Sequence, residues 1–142
     1  IPSNFHGDFQ PENIIMNNKI ITLIDWREDF DGNKILGDIY YDFAKLDHAL
    51  LVNGEVIRRR KYSVKIKKNN VNLTVVKRKK LMEFRNYFHN YLIKKKYDLF
   101  KVKLLSSLIY LNIAALHDYP YNEFLFYNGK LTLSKLLNGN YK

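Results

Sequence analysis

Two aspartates and one asparagine near the start of the sequence have the types and the spacing of a phosphoryl-transfer site. Asn13 follows Asp8 by five residues, and Asp25 comes directly after the apolar run at residues 20–24. At this spacing an Asp accepts the proton of an attacking hydroxyl and the Asn carbonyl oxygen binds Mg²⁺, while a second Asp after a later strand holds metal. Asn13 and Asp25, the two candidate metal ligands, both offer the hard oxygen atoms that Mg²⁺ prefers. The three side chains therefore predict a base, Asp8, beside a magnesium site formed by Asn13 and Asp25.

A short β-hairpin is expected to bring these side chains together. Residues 13–16 and 20–24 are apolar runs, and the polar residues between them favour a turn. Such a turn sets Asn13 opposite Ile24, and paired residues of an antiparallel hairpin are about 4.5–5.5 Å apart. Oxygens at that separation can share one cation at about 2.1 Å from each. The hairpin therefore predicts that Asn13 and Asp25 meet at one end.

At three linked motifs the chain resembles the catalytic core of aminoglycoside phosphotransferases and choline kinases, which are small-molecule kinases with a protein-kinase-like fold. The motifs are His6-Gly7-Asp8 with Asn13, then Ile24-Asp25-Trp26, then Gly37-Asp38-Ile39-Tyr40-Tyr41-Asp42-Phe43-Ala44. The resemblance covers residues 4–46. It implies an α+β fold, in which residues 1–142 form a mainly helical, protein-kinase-like C-terminal lobe and residues 1–30 supply the catalytic loop and metal-binding hairpin.

The resemblance implies a role for each matched residue. Asp8 would be the catalytic base, and Asn13 and Asp25 would hold Mg²⁺ beside ATP. His6 would brace the loop and the metal-binding segment. Asp42 would accept hydrogen bonds from the backbone of the catalytic loop.

Gly7 stands where protein kinases carry an arginine that reads a phosphorylated activation loop, which implies a site without that switch. Arg27 departs from the family pattern, because related kinases often have an acidic residue there. The chain also begins seven residues before Asp8, whereas the glycine-rich loop, strand lysine and glutamate of a kinase precede the catalytic loop. We therefore expect an N-terminal nucleotide-binding lobe as a missing partner, and an incomplete enzyme.

The implied reaction is Mg²⁺-dependent transfer of the γ-phosphoryl group of ATP to a hydroxyl of a small molecule. The acceptor is an amino alcohol, a sugar or an aminoglycoside-like polyamine, and a cationic acceptor needs an acidic or aromatic cleft. Glu28, Asp29 and Asp31 are candidates for that contact, with ordinary loop acids as the alternative. Two further functions stay open, a non-catalytic pseudokinase-like or scaffold module and a basic nucleic-acid-binding domain.

Composition fits one compact unit. The 142 residues are 46% hydrophobic and 15% aromatic, which excludes disorder and allows a sizeable core. There is no cysteine, so disulfides and thiolate metal sites are excluded. With no visible signal peptide and no run long enough for a membrane span, this favours a cytoplasmic protein. The net charge of +10 is interpreted as solvated surface, because no nucleic-acid motif accompanies it.

The middle of the chain predicts a capped helix and a second hairpin. Asp38 is well placed to cap a helix over residues 39–51, and Asn53-Gly54 is expected to end it. Residues 62–76 alternate apolar and polar side chains around Asn69-Asn70 and predict a hairpin inserted between helices.

The region 79–137 is predicted to be helical. Residues 79–96 have one apolar face, and residues 98–116 are apolar nearly all round, which predicts a buried central helix. Beyond a turn at Pro120, two short helical pieces are expected on either side of Asn128-Gly129.

Overall fold

The computed structural model describes residues 1–68 and 70–139. This part of the chain is an α+β fold with five α-helices and three two-stranded antiparallel sheets. The strands are β1 (Pro2–Ser3), β2 (Ile14–Asn17), β3 (Ile20–Leu23), β4 (Gly37–Asp38), β5 (Tyr62–Lys67) and β6 (Asn70–Val75); the helices are α1 (Ile39–Leu51), α2 (Gly54–Arg58), α3 (Lys79–Lys94), α4 (Leu99–Ala114) and α5 (Tyr121–Leu137). Among the described residues, no helix combines the length and apolar character needed to cross a membrane.

The predicted hairpin near the start of the chain is confirmed as β2–β3, with the expected register. The two turn residues, Asn18 and Lys19, have φ angles of 46° and 69°. Positive φ at both positions is typical of a type I′ turn, whose twist matches that of the flanking strands. The register continues to Asn13, whose carbonyl oxygen accepts a hydrogen bond from the Ile24 N–H at 3.0 Å. The two chain ends of the hairpin therefore lie side by side.

Helix α1 has the predicted bounds and the predicted cap, since the Asp38 side chain accepts a hydrogen bond from the Tyr40 N–H at 3.0 Å. Pairing of β4 with β1 ties the start of α1 to the segment that leads into the loop at residues 6–13. The expectation that Asn53-Gly54 ends α1 is wrong in detail. Asn53 caps the next helix, α2, because its carbonyl Oδ1 accepts hydrogen bonds from the first N–H groups of that helix.

The second predicted hairpin is confirmed as β5–β6. Tyr62 pairs with Val75 and Val64 pairs with Leu73, so apolar side chains oppose each other on one face. Asn69, in the predicted turn, lies outside the described residues, and β6 begins at Asn70.

The core forms two clusters along α1, and α4 packs between α1 and α5 as a central helix. The first cluster joins α1 to α3 and α4 through Tyr40, Leu46, Leu50, Phe88, Leu92 and Val102. The second joins α1 to α4 and α5 through Leu51, Val52, Tyr110, Ala114, Tyr121, Phe124 and Leu125, and the β5–β6 hairpin packs on it. Helix α1 is therefore held from both sides, which fixes the side chains that it presents to the loop at residues 6–13.

The two short helical pieces expected around Asn128-Gly129 are wrong, because α5 is one continuous helix. A Cβ atom at Gly129 would lie 2.9 Å from the Leu111 side chain and 3.1 Å from the Ser107 carbonyl oxygen. The glycine is needed there for close approach to α4. A mid-helix glycine costs about 1 kcal/mol in helix propensity, and tertiary packing overrides that cost here.

Candidate functional site

A carboxylate of α1 holds the backbone of the loop at residues 6–13. The N–H groups of His6 and Gly7 donate to the two carboxylate oxygens of Asp42 at 2.7 and 2.8 Å, and all three residues are buried. Gly7 has a φ of 78°, a left-handed conformation that favours glycine. The hydrogen bonds predicted from the loop to Asp42 are confirmed, so α1 sets the position of the loop.

His6 joins this loop to the segment after β3. Its ring stacks on Trp26 with centroids 4.8 Å apart, and its carbonyl oxygen accepts a hydrogen bond from the Arg27 N–H at 2.9 Å. Its Nδ1 accepts from the Asp8 N–H at 3.2 Å. The bracing contacts predicted for His6 are therefore present, and they connect Asp8 with the strand end that carries Asp25.

Gly7 has a second reason to lack a side chain. A Cβ atom at this position would lie 2.7 Å from Cβ and 2.8 Å from Cγ of Arg27. The aliphatic part of Arg27 thus covers the loop where any other residue would project. Arg27, which departs from the family pattern, therefore occupies the space that a side chain at residue 7 would need.

Asp8 is held by three donors. Its Oδ1 lies 2.5 Å from Lys45 Nζ of α1, and its Oδ2 accepts from Gln10 Nε2 at 3.0 Å and Asn13 Nδ2 at 3.1 Å. The side chain still exposes 20% of its surface. The carboxylate therefore has a fixed orientation and an edge that a substrate can reach.

Asn13 lies at the end of a 3-10 turn, Pro11–Asn13, and is buried. Its amide nitrogen makes two contacts with Asp8, to the carbonyl oxygen at 2.9 Å and to Oδ2 at 3.1 Å. Because the nitrogen faces Asp8, the amide oxygen Oδ1 points away from it. That orientation suits an oxygen ligand for a cation.

Asp25 follows Ile24, the residue whose N–H is bonded to Asn13. Its side chain is exposed and its φ is 60°, in the left-handed region that is uncommon for a residue with a side chain. Conformations of this kind cost about 1–3 kcal/mol and cluster at functional sites. The hairpin therefore places the backbone of Asp25 one residue beyond the Ile24–Asn13 pair, in a strained conformation.

The donor pair of Asn13 and Asp25 fits magnesium. Mg²⁺ usually takes one or two carboxylates and completes its octahedron with phosphate oxygens and water. Within residues 1–68 and 70–139, no group of three or more His, Cys, Asp or Glu side chains could hold a metal ion by itself. A magnesium ion held by Asn13 and Asp25 would therefore need further oxygen ligands.

The acidic residues proposed to contact substrate lie in the exposed loop between β3 and β4. Glu28, Asp29 and Asp31 are all exposed. Asp29 Oδ1 accepts a hydrogen bond from the Gly32 N–H at 3.0 Å, which stays within the loop. For Asp29 this local bond matches the alternative of an ordinary loop acid, and the structure brings none of the three into the hydrogen bonds that hold Asp8.

Sequence reasoning missed Lys45, Gln10 and Trp26. Lys45 was open to prediction, because it follows Asp42 by one helical turn and so lies on the face of α1 that holds the loop. Gln10 and Trp26 lie in irregular segments, where no periodic pattern indicates which way a side chain points.

Comparisons of the chain with protein-family models, with curated proteins and with solved structures found no match. Function is therefore inferred from the residues of the loop, the hairpin and α1, and from the contacts between them.

Proposed function

We propose that the chain is the catalytic, C-terminal kinase-like lobe of a phosphotransferase that transfers the γ-phosphoryl group of ATP to a hydroxyl of a small molecule. The observation that carries the proposal is the contact of Asn13 with Asp8, at the hairpin end that also carries Asp25. Asp42 supports this arrangement, because its carboxylate accepts hydrogen bonds from the loop backbone at His6 and Gly7.

Asp8 would accept the proton of the substrate hydroxyl. As the new oxygen–phosphorus bond forms, the bond from the γ-phosphorus to the bridging oxygen of ADP breaks, and the hydroxyl proton passes to the Asp8 carboxylate. Lys45, Gln10 and Asn13 hold both carboxylate oxygens before substrate binds, so little reorganisation is needed during the reaction. Positioning of this kind is the main demand on the protein in phosphoryl transfer.

Asn13 Oδ1 and the Asp25 carboxylate would hold Mg²⁺, which when bound neutralises charge on the nucleotide phosphates. Asn13 would link the base to the magnesium site, because its amide nitrogen contacts Asp8 while its oxygen would bind the cation. A change at Asn13 is therefore expected to alter both the magnesium requirement and the orientation of the base.

Exposed apolar side chains around β2–β3 support a nucleotide-binding lobe as the partner of this face. Met16 is 75% exposed and Ile20 is 69% exposed. Further exposed apolar residues in the same region are Ile15, Ile21, Ile24 and Trp26. Several large apolar side chains exposed on one hairpin are typical of an interaction site. We propose that the lobe carrying the glycine-rich loop and the ATP-binding lysine packs here.

A non-catalytic nucleotide-binding or scaffold module is the second candidate, and the Lys45–Asp8 ion pair favours it. A carboxylate held at 2.5 Å by a buried lysine also suits a structural role. The two candidates differ in one respect, since only the enzyme requires Asp8 for turnover.

The test is phosphoryl transfer from ATP labelled in the γ position, measured with and without Mg²⁺ in the longest natural form of the protein. The acceptor panel contains choline-like amino alcohols, sugars and aminoglycosides. Asn13→Ala and Asp25→Ala are expected to lose Mg²⁺-dependent turnover, while Glu83→Gln, an exposed change on α3, serves as the matched control. Mg²⁺-dependent ATP binding without transfer to any acceptor would favour the non-catalytic module. Turnover by Asp25→Ala equal to that of the control would contradict the proposal.

A further inference from the structure

A large cavity lies behind α1, on the side away from the catalytic loop. Lys45 of α1 faces Asp8, whereas Asp47, two residues later and about 200° around the helix, lines the cavity. Its volume of about 680 Å³ is in the range of small-molecule binding sites. Parts of α1, α3, α4 and α5 form its walls, and β6 with Lys77 closes one side.

The charge around this cavity is strongly positive. Among the residues that the structure describes, four cationic side chains line it against the one carboxylate of Asp47: Lys77, Arg85, Lys103 and Lys135. That carboxylate is already occupied, because Arg85 contacts it through two nitrogens at 2.7 and 2.9 Å. Burial, together with the nearby charge of Arg85, lowers the pKa of Lys103. Lys77 and Lys135 add a positive potential that a ligand anion would neutralise.

A buried amide also points to a ligand. Asn128 of α5 lines the cavity and is only 7% exposed. Within the described residues, its amide nitrogen Nδ2 is buried without a hydrogen-bond partner. The nearby hydroxyls of Ser107 and Thr132 donate to the carbonyl oxygens of Lys103 and Asn128, and neither hydroxyl oxygen accepts from this amide. Leaving a buried donor unpaired is unfavourable, so an acceptor from a ligand would satisfy it.

Part of the remaining wall is apolar. It consists of Leu51, Leu73, Val75, Phe124, Leu131 and Leu136. A ligand for this cavity needs an apolar body as well as an anionic group, since a fully hydrated ion would leave this wall uncovered.

We propose that the cavity binds an amphiphilic organic anion, whose carboxylate or phosphate head is held by Lys77, Lys135 and the Asn128 amide while its apolar body packs against the leucine-rich wall. The site is separate from Asp8 and Asn13, so the proposal is independent of phosphoryl transfer. A molecule bound there contacts α1 and is able to stabilise the helix that supports the catalytic loop.

The first experiment compares four probes that share one alkyl chain, each used below its micelle concentration with the full chain. Octanoate and octyl phosphate carry the two possible heads, octanol is neutral and octyltrimethylammonium is cationic. Calorimetric titration is expected to show binding of one or both anions. In ¹⁵N-correlated NMR spectra the anion is expected to shift the Asn128 side-chain NH₂ signal, identified by its loss in Asn128→Leu, and the Thr132 amide. Equal affinity for the cationic probe, or anion shifts confined to the loop around Asn13, would overturn the proposal.

The second experiment separates a built site from general attraction to a basic protein. The double variant Lys77→Gln/Lys135→Gln is compared with Lys65→Gln/Lys80→Gln, which removes the same charge from exposed positions outside the cavity. The cavity pair is expected to weaken binding of the better anion about tenfold, equivalent to 1.4 kcal/mol, and the control pair is expected to leave it nearly unchanged. Equal loss in both double variants would show that net charge alone attracts the probe and would refute the site.

Asn128→Leu completes the test, since it keeps a side chain of similar size and removes the unpaired amide. Without ligand, the melting temperature of this variant is expected to equal or exceed that of the original chain. Its affinity for the anion is expected to fall. Unchanged affinity in a folded Asn128→Leu variant would show that the amide does not contact the anion. If the variant does not fold, the comparison of the two lysine double variants decides whether the cavity binds the anion.

Discussion

Two carboxylates on opposite sides of α1 are each paired with a cation, yet their surroundings differ. Asp8 has one lysine and two neutral amides as partners, and 20% of its side chain is exposed. Asp47 is 0% exposed and contacts Arg85 through two nitrogens, with His89 Nε2 at 2.5 Å and the Ser106 hydroxyl at 3.0 Å. The Asp8 carboxylate is held in one orientation and is accessible to solvent, whereas the Asp47 carboxylate is fully buried.

The difference separates a carboxylate that is available for chemistry from one that is committed to the fold. Burial by itself raises the pKa of Asp47, but hydrogen bonds from His89 and Arg85 outweigh it and hold the pKa well below its usual range. Such a carboxylate stays charged and serves to join α1, α3 and α4. Asp8 has an open edge instead, which a proton acceptor needs.

The largest effect is expected from Asp8→Asn in the longest natural form of the protein. Turnover should fall by about 10²–10⁴-fold, the range for loss of a general base, because the amide cannot accept the hydroxyl proton. The change is measured as kcat for the acceptor that the panel identifies. Asp8→Asn/Lys45→Met is the companion variant, since it leaves no buried lysine without its partner. Turnover near that of the unchanged protein would show that Asp8 belongs with Asp47 as a structural group.

Asp47→Asn should produce the largest loss of stability. Removing one partner of a buried ion pair costs about 3–5 kcal/mol, because the other charge is left uncompensated. Here Arg85 and His89 would both lose their acceptor. Urea unfolding measures the change in the free energy of unfolding, with Glu83→Gln as control. A loss under about 1 kcal/mol would mean that the enclosed cluster relaxes as easily as a surface pair.

The buried side chain of His48, next to Asp47 on α1, is expected to make the free energy of unfolding depend on pH. Burial and the nearby charge of Lys45 lower its pKa to about 4. The unfolded chain, with a His pKa near 6.5, then binds more protons than the folded chain at any pH between these two values. Stability is therefore expected to fall as pH decreases from 7 to 4, by about 3 kcal/mol.

The control for this pH effect is His48→Asn. His48 Nδ1 lies 2.7 Å from the Lys45 carbonyl oxygen, so the nitrogen donates, and an asparagine amide can replace that donor. Urea unfolding at several pH values should show a flatter profile between pH 6.5 and 4 for the variant. The same slope in both proteins would assign the pH dependence to other groups.

Lys45→Met is expected to have the smallest effect, about 1 kcal/mol of stability or less. Asp8 keeps its contacts with Gln10 and Asn13 and remains partly hydrated, so it is not left as an isolated buried charge. Thermal unfolding of this variant beside Asp47→Asn tests the comparison directly. Similar losses in the two variants would mean that Asp8 is as enclosed as Asp47.

Much of the region around Asp8 was predictable because its signals are local. The cap at Asp38, the bounds of α1 and the register that sets Asn13 opposite Ile24 each depend on residues within one element or one turn. The hydrogen bonds from the loop to Asp42 were expected from the resemblance of three motifs rather than from periodicity. The catalytic role itself stays a prediction.

The region around Asp47 was not predictable in the same way. Its partners Arg85 and His89 are 38 and 42 residues away in the sequence. Helical spacing indicates the face of α3 on which His89 lies, but not its neighbour on another helix. The continuity of α5 through Gly129 was missed for the same reason, since the close approach of α4 is a contact between elements.

The amino-acid sequence by itself determined the short-range features of this protein: the turn that pairs β2 with β3, the cap and length of α1, and the residue types of a phosphoryl-transfer loop. Only the tertiary structure decided which charges meet, that Lys45 contacts Asp8, that Asp47 is enclosed, and that a positively charged cavity lies behind α1. The physical reason is the separation along the sequence of the residues that interact. Turns and caps depend on backbone conformation and hydrogen bonds within a few residues, whereas burial and ion pairing depend on how distant helices pack.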